Sequence, residues 1–156
     1  MRNVQESVGL LPYRWHEGRL QVFLVHPGGP YWRRKDEGAW QIAKGAPLPG
    51  EALSNAALRE FQEEVGMRPA AIPWPLARIR QKGGKWVSAF AVETEIEPAD
   101  LVSNLFELEW PPRSGIVRSF PEIDRADWFT LADACGKMLA SQTALLAALE
   151  QAVPAR

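Results

Sequence analysis

The sequence lacks the features of secreted, membrane-spanning and disulfide-stapled proteins. Its single cysteine, Cys135, rules out an internal disulfide and is typical of a reducing compartment. No apolar run approaches the length of a membrane span, and the N-terminus has no apolar core of a secretion signal. We therefore expect a cytoplasmic protein with no membrane partner.

The chain also has no excess of charge of either sign. Its formal net charge is −1, which excludes bulk electrostatic attraction to DNA, and no DNA partner is expected. The two histidines, His16 and His26, have no partner at ligand-like spacing and are interpreted as structural or surface residues. At 156 residues, the chain 1–156 is expected to form one domain. Nothing in it indicates an oligomeric state.

Strand-like and helix-like patterns alternate along the chain, which indicates an α/β fold. Pro12 limits the first strand to an edge or an end of a sheet. Residues 94–121 are the least regular segment, with room for one further short strand. The pattern predicts strands at 6–15, 20–26, 40–43, 76–82, 85–93 and 122–129, and helices from Pro49-Gly50 to Gly66, from Thr130, and from Ser141 to Val153.

A Gly/Pro-rich loop leads into the most informative helix, in the segment 45–67 with the sequence GAPLPGEALSNAALREFQEEVGM. At about 100° per residue, the carboxylates of Glu60, Glu63 and Glu64 fall on one face. Like charges at these spacings repel, and a hard divalent cation would relieve that repulsion. The alternative is an acid-rich solvent-facing helix.

The neighbours of these acids complete the pattern. Leu53, Ala57, Phe61 and Val65 are predicted to form the adjacent buried face. Arg59 is predicted to pair with Glu63, and Arg68 with Glu64. The acidic face is therefore expected where a packed helix meets a cleft.

The full spacing, with U for a bulky apolar residue, is G-x5-E-x7-R-E-U-x-E-E-x-G-U, and it resembles the Nudix box of the Nudix hydrolases. The segments HPGGPYW, KDEGAW, RQKGGK, EWPPRSG and FPEIDRADWF are similar to a bacterial subgroup described as predicted nucleoside triphosphate pyrophosphohydrolases. Many relatives have Pro-Lys-Gly entering the box, where this chain has Ala43-Lys44-Gly45. The resemblance implies an α/β/α sandwich around a mixed β-sheet.

The resemblance also implies a metal site that binds Mg2+ or Mn2+. Its implied ligands are Glu60, Glu63, Glu64, the backbone carbonyl of Lys44, and Glu122 from outside the box, with Glu107 and Glu109 as lesser candidates. Arg59 is expected to orient the carboxylates, and Glu60 or Glu122 could serve as general base. Gly45, Glu51 and Gly66 are expected to be structural.

Substrate contacts are expected from basic and aromatic side chains in loops. Lys44 precedes the box, and a compact basic group surrounds the Gly83-Gly84 turn. Each aromatic candidate could equally belong to the core. The candidates are Lys44, Arg80, Lys82, Lys85 and Arg113 for phosphate, and Tyr31 and Trp32, with Trp110 and Trp86 behind them, for a base.

The resulting prediction is a Mg2+-dependent Nudix pyrophosphohydrolase acting on a small-molecule nucleotide. Its substrate would be a nucleoside diphosphate linked to another group, with a nucleoside triphosphate or dinucleoside polyphosphate favoured. Two alternatives stay open, namely a non-catalytic nucleotide-binding or regulatory module and a pyrophosphohydrolase of RNA 5′ ends. The lack of an extended basic stripe disfavours RNA.

Overall fold

Strands and helices alternate through residues 6–155, the part of the chain that the computed structural model describes. The strands are β1 Glu6–His16, β2 Arg19–Pro27, β3 Ala43–Gly45, β4 Trp74–Arg80, β5 Trp86–Glu93, β6 Leu105–Glu109, β7 Val117–Pro121 and β8 Ile123–Thr130. The helices are α1 Leu53–Val65, α2 Leu131–Lys137 and α3 Ala144–Ala152. None of the helices within 6–155 is long and apolar enough to cross a membrane.

The main sheet is mixed, with the strand order β4-β5-β1-β2-β8 and with β3 paired to β1. Strands β1 and β5 run parallel, whereas the other pairs in this sheet are antiparallel. Strands β6 and β7 form a separate two-stranded sheet. The sheet therefore brings β3, which leads into the 45–67 segment, against the central strand β1.

Side chains that alternate along the strands enter two different cores. Val8 and Leu10 of β1 pack in one cluster with Phe61 of α1. Leu11, the next residue of β1, packs in a second cluster with Leu145 of α3. Helix α1 therefore covers one face of the sheet, and α3 covers the other. The predicted α/β sandwich around a mixed sheet is confirmed.

The expectation that Pro12 restricts β1 to an edge was wrong, because β1 lies in the middle of the sheet. On one side, residues 8–10 of β1 pair with β3, whereas residues 13–16 pair with β2. Pro12 lies between these two ladders, opposite no residue of either strand. A missing N–H costs least where the ladder is already interrupted.

Several element boundaries differ from the sequence-based expectation. The predicted strand 40–43 is displaced, since Trp40 and Gln41 make isolated bridges and β3 starts at Ala43. The final helix begins at Ala144, after a short 3-10 turn that contains Ser141. The irregular segment 94–121 contains the two strands of the β6–β7 hairpin where one was expected. Short pieces with few local signals are where long-range pairing decides the structure.

Helix α1 ends as expected and begins without a side-chain cap. Gly66 takes the left-handed conformation (φ 84°) and its N–H bonds the carbonyl of Gln62, which ends the helix. Ala56, Ala57, Leu58, Phe61 and Val65 are its buried residues. Leu53, predicted to be buried, is 40% exposed because it lies at the helix start, beyond the sheet contact.

A buried glutamine connects the strand that enters the 45–67 segment to the C-terminal part of the chain. Gln142 is fully buried, and its Oε1 atom accepts a hydrogen bond of 3.0 Å from the backbone N–H of Ile42. Its Nε2 atom has no hydrogen-bond partner among the described residues. Gln142 therefore supplies the acceptor that Ile42 needs inside the core.

We expect Gln142→Ala to lower the free energy of unfolding by ~1–3 kcal/mol, because it leaves the Ile42 N–H buried without an acceptor. Urea denaturation measures this loss. The matched control is Gln62→Ala on the exposed side of α1, where a change within about 0.5 kcal/mol is expected. Equal small effects in both variants would contradict the assigned role of Gln142.

Candidate active site

Helix α1 carries the acidic side chains of the 45–67 segment at three different depths. The side chain of Glu60 is 15% exposed, and that of Glu63 is 50% exposed. Glu64 lies deeper, and its Oε2 atom is buried without a hydrogen-bond partner among the described residues. The helix thus presents one edge of acids that runs from solvent into the protein.

Arg59 is the centre of the polar network around these acids. Its Nε and Nη2 atoms donate to the two carboxylate oxygens of Glu51 at 2.9 and 3.0 Å. Its Nη1 atom donates to Glu60 at 3.1 Å and to Glu63 at 3.2 Å. Nη2 also donates to the carbonyl of Ala46 in the loop before the helix, at 3.1 Å. One guanidinium therefore connects the loop, the helix start and two of the acids.

The predicted Arg59–Glu63 pair is present, but the predicted Arg68–Glu64 pair is not. Arg68 instead approaches Gln62, with Nη1 3.5 Å from Oε1. Arg68 lies beyond the helix end at Gly66, where the helical spacing no longer applies, and Glu64 points towards the protein interior.

Glu51 has its pKa lowered, chiefly by the hydrogen bonds from Arg59 and then by one from the backbone N–H of Leu48. The reciprocal interaction, mainly with Glu51, raises the pKa of Arg59. Glu51 therefore stays ionised and holds the loop on the arginine. These contacts describe a structural part for Glu51 at the start of the helix.

Gly45 allows the loop backbone to approach Glu60. A β-carbon at Gly45 would lie 2.1 Å from the Oε2 atom of Glu60 and 2.2 Å from its carboxyl carbon. Contacts shorter than about 3 Å force one of the two groups to move, and here the Glu60 carboxylate would have to leave its position. Glycine at this position is therefore required for the observed carboxylate placement.

Glu64 has its pKa raised to about 8, first by burial and then by the negative charges of Glu60 and Glu122. A hydrogen bond from the backbone N–H of Lys44 and the charge of Lys44 act in the opposite direction. Glu64 is therefore the carboxylate that gains most from a nearby cation. The same interactions place Glu60, Glu122 and Lys44 within electrostatic reach of Glu64.

Glu122, chosen from sequence among several acids outside the segment, is the one that interacts with Glu64. It is exposed and lies between β7 and β8. Other candidate acids have other partners. Glu95 pairs with Arg14, Glu97 accepts from the N–H of Ala99, and Glu109 accepts from the N–H groups of Arg113 and Gly115. Glu109 thus organises the tip of the β6–β7 hairpin.

Three of the predicted basic residues meet in one cleft of about 720 Å³. Lys44, Lys82 and Lys85 line it together with Gln81, Leu139, Ala140 and Ser141. Within residues 6–155, neither Lys82 nor Lys85 forms an ion pair with a carboxylate. Lys44 also contacts Glu64 through its backbone, so the basic cleft adjoins the acids.

Arg80 and Arg113 do not line this cleft. The guanidinium of Arg80 lies 5.7 Å from the centroid of the Trp86 ring, and that of Arg78 lies 4.3 Å from it. Arg113 has a positive φ of 60° at the tip of the β6–β7 hairpin. Trp86 is consequently covered by two arginines.

Two of the aromatic candidates meet between separate loops. Tyr31 is 57% exposed, and its ring packs edge-to-face against Trp110 with centroids 5.2 Å apart. Trp32 lies beneath Lys35, whose Nζ atom is 5.0 Å from the ring centroid. Tyr31 and Trp110 therefore form an accessible aromatic pair between the 28–39 loop and the β6–β7 hairpin.

Sequence reasoning missed one wall of the basic cleft and the environment of His26. Residues 139–141 carry no motif, and only the packing of the C-terminal segment brings them beside β3. His26, interpreted as structural or surface, is fully buried and bonded at both ring nitrogens. The apolar run of β2 around it was the one available signal of burial.

The acids fit a divalent cation by chemistry, although they are not already gathered around one position. Between residues 6 and 155, no three His, Cys, Asp or Glu side chains are arranged closely enough to form a metal cage. The oxygen donors, the mutual repulsion of Glu60, Glu64 and Glu122, and the unpartnered Oε2 atom of Glu64 suit a hard cation such as Mg2+. Glu60 and Glu63 are held by Arg59 in this arrangement.

Solved structures with the same fold cover nearly the whole chain. The NUDIX domain of Shewanella oneidensis NrtR, complexed with ADP ribose, is 15% identical with a TM-score of 0.65, over 98% of this chain and 91% of that one. A C. elegans Ap4A hydrolase is 20% identical with a TM-score of 0.63, over 93% of this chain and 96% of that one. The MutT protein of Methanosarcina mazei Go1 is 16% identical with a TM-score of 0.61, over 97% and 98%.

These likenesses show the fold, and the sequence itself shows the family. Residues 4–149 match the family described as the NUDIX domain, whose hydrolases generally use divalent metals. That match includes every residue of the 45–67 segment and Glu122. The chain therefore belongs to the Nudix family.

Proposed function

We propose that this Nudix protein is a Mg2+-dependent hydrolase of a phosphoanhydride bond in a nucleoside diphosphate-linked substrate. A nucleoside triphosphate or a dinucleoside polyphosphate is the proposed substrate. The observation that carries the proposal is the position of Lys44, which contacts Glu64 through its backbone and lines the three-lysine cleft. Metal-binding acids and phosphate-binding lysines adjoin at that residue, as hydrolysis of a polyphosphate requires.

The proposed metal ligands are Glu60, Glu63 and Glu64, with the carbonyl of Lys44 and the carboxylate of Glu122. Bound Mg2+ or Mn2+ would neutralise phosphate oxygens and make a water molecule more acidic. Arg59 orients Glu60 and Glu63 through its shared Nη1 donor. It also keeps the loop close through Glu51 and the carbonyl of Ala46.

Protein side chains would supply the remaining steps. Lys44, Lys82 and Lys85 would hold the phosphate chain in line with the acids, because the three residues line one cleft. A carboxylate, Glu60 or Glu122, would accept the proton of the attacking water. Tyr31 and Trp110 offer a nucleobase an exposed aromatic surface.

Two structures with this fold support nucleotide ligands of different types. One is described as an Ap4A hydrolase and the other as a domain complexed with ADP ribose. The domain complexed with ADP ribose is compatible with the alternative that this chain binds a nucleotide without hydrolysing it. Hydrolysis of RNA 5′ ends is less supported, because the net charge is −1 and the sequence has no extended basic stripe.

A substrate panel with and without Mg2+ tests the function. The panel contains ATP, diadenosine tetraphosphate, ADP-ribose and 5′-triphosphorylated RNA, and released phosphate and pyrophosphate are measured. We expect Mg2+-dependent turnover, strongest for ATP or diadenosine tetraphosphate. Tight nucleotide binding with no turnover of any substrate would instead establish the binding module.

Glu63→Gln and Glu64→Gln are each expected to lower kcat by at least about 100-fold while the protein stays folded, because each removes a negative ligand charge. Steady-state kinetics at saturating Mg2+ and a thermal melt measure both properties. Glu150→Gln, on the exposed surface of α3, is the matched control and should keep wild-type activity. Near-wild-type activity in both box variants would refute the metal-site assignment.

Gly45→Ala is expected to reduce kcat by about tenfold or more, because the added methyl group displaces the Glu60 carboxylate. Binding of Mn2+, followed by electron paramagnetic resonance, should weaken in parallel. Gly136→Ala is the control, since its β-carbon would meet just the flexible carboxylate end of Glu37 at 3.2 Å. Unchanged Mn2+ binding in Gly45→Ala would show that the close approach has no part in ligand placement.

Lys82→Ala and Lys85→Ala are each expected to raise KM for a polyphosphate substrate by roughly tenfold, with a smaller change in kcat. The effect should shrink as the salt concentration rises, because the lysines are exposed to solvent. Arg80→Ala is the internal control, since its guanidinium lies over Trp86 and outside the cleft. A larger effect in Arg80→Ala than in the lysine variants would move the phosphate site away from the cleft.

A further inference from the structure

A β-bulge beside Glu122 turns an acidic side chain towards the interior of the protein. In the pairing of β2 with β8, His26 lies opposite Arg125, whereas Pro27 lies opposite Ile123. Asp124 is therefore the extra residue on β8, and bulges of this kind re-aim a side chain. The Oδ1 atom of Asp124 lies 2.7 Å from the Nδ1 atom of His26.

The second nitrogen of the same ring holds the 28–39 loop. The Nε2 atom of His26 lies 2.5 Å from the backbone carbonyl oxygen of Lys35. Each ring nitrogen therefore has one oxygen partner, and the two partners lie in different segments of the chain. The ring is fully buried, and it packs edge-to-face against Trp40 at 5.2 Å.

The two segments that His26 connects contain proposed site residues. The loop begins where the N–H of Gly28 donates to the carbonyl of Glu122 at 2.8 Å. It ends where Asp36 accepts from Trp40 Nε1 at 2.8 Å and where Lys137 pairs with Asp36 and Glu37. Tyr31 lies between these anchored ends of the loop. The hydrogen bond between His26 and the Lys35 carbonyl shortens the unanchored part of the loop that contains Tyr31.

Packing alone does not require a histidine at position 26. An apolar ring would fill the same buried space without the desolvation of two nitrogens and a nearby carboxylate. Asp124 also lies near Arg125, with Nε 3.7 Å from Oδ1, so the pair sits among charged groups at the edge strand. What a histidine adds is two ring nitrogens that point in opposite directions, each with its own oxygen partner.

We infer that His26 is a positioning residue for the active site. Its two hydrogen bonds fix the bulged segment 121–125 and the 28–39 loop in one arrangement, and through them Glu122 and Tyr31. The catalytic consequence rests on the proposed function, in which Tyr31 meets the base and Glu122 joins the acids. The structural part stands independently and is measured without substrate.

Hydrogen exchange of the full chain, followed by mass spectrometry, tests the structural part. His26→Phe keeps a ring in the cavity and removes both ring nitrogens with their hydrogen bonds. We expect exchange in segments 28–39 and 121–125 to become at least about tenfold faster, with β1 and β5 unchanged. The control is Leu149→Ala. Leu149 is a fully buried residue of α3, so this change destabilises the protein away from the His26 hydrogen bonds.

Asp124 variants keep the inference testable if His26→Phe fails to fold. Asp124→Ala should accelerate exchange in both segments, whereas Asp124→Asn, which keeps an acceptor oxygen, should stay near wild type. Exchange that rises equally throughout the sheet, or Asp124→Ala that leaves both segments at the wild-type rate, would overturn the inference.

Kinetics separate this inference from the proposed function. If a panel substrate is hydrolysed, His26→Phe should raise its KM several-fold and lower kcat, whereas Leu149→Ala should change neither beyond its effect on stability. If no panel substrate is hydrolysed, the proposed function fails, and the exchange results still decide whether the His26 hydrogen bonds hold the two segments. Local loosening in His26→Phe with wild-type KM and kcat would refute its positioning role.

Discussion

Electrostatic repulsion among carboxylates on one edge of α1 is the constraint on which the site depends. Burial raises the pKa of Glu64 to about 8, and the negative charges of Glu60 and Glu122 add to that effect. On the solvent side of α1, the guanidinium of Arg59 reduces the repulsion between carboxylates, because it pairs with Glu51, Glu60 and Glu63. On the interior side, the Oε2 atom of Glu64 is buried without a hydrogen-bond partner among residues 6–155.

The main sheet places the acids of α1 beside a group of lysines. Strand β3 pairs with the central strand β1 and sets Lys44 and Gly45 against the acids. At Gly45 the backbone meets the Glu60 carboxylate, and at Lys44 the backbone N–H bonds Glu64. The same lysine lines the cleft with Lys82 and Lys85. The short strand β3 therefore lies between the acids of α1 and the lysine cleft. This arrangement would suit a polyphosphate bound through a metal ion.

The sequence predicted what local spacing determines. Helix α1, its end at Gly66 and the Arg59–Glu63 pair depend on residues a few positions apart, and all three are present. Helical spacing gave a wrong partner for Arg68, because the helix has already ended there. It also gave a wrong burial for Leu53, because the helix start projects past the sheet. The α/β class followed from the alternation of patterns. The central place of β1 did not, because an interruption between two ladders is visible only in three dimensions.

Contacts between distant residues explain why the basic cleft and the loops around it were harder to predict than the acids of α1. Residues 139–141 reach the cleft because Gln142 bonds Ile42, 100 positions away, and His26 meets Asp124 across 98 positions. Neither pair has a local pattern, since a buried polar partner is selected by the completed packing around it. The bulge at Asp124 adds one residue to β8, and a strand alternation cannot reveal that addition. The acidic edge of α1 is therefore encoded by helical spacing, whereas the placement of the loops proposed to meet the substrate depends on long-range polar pairs.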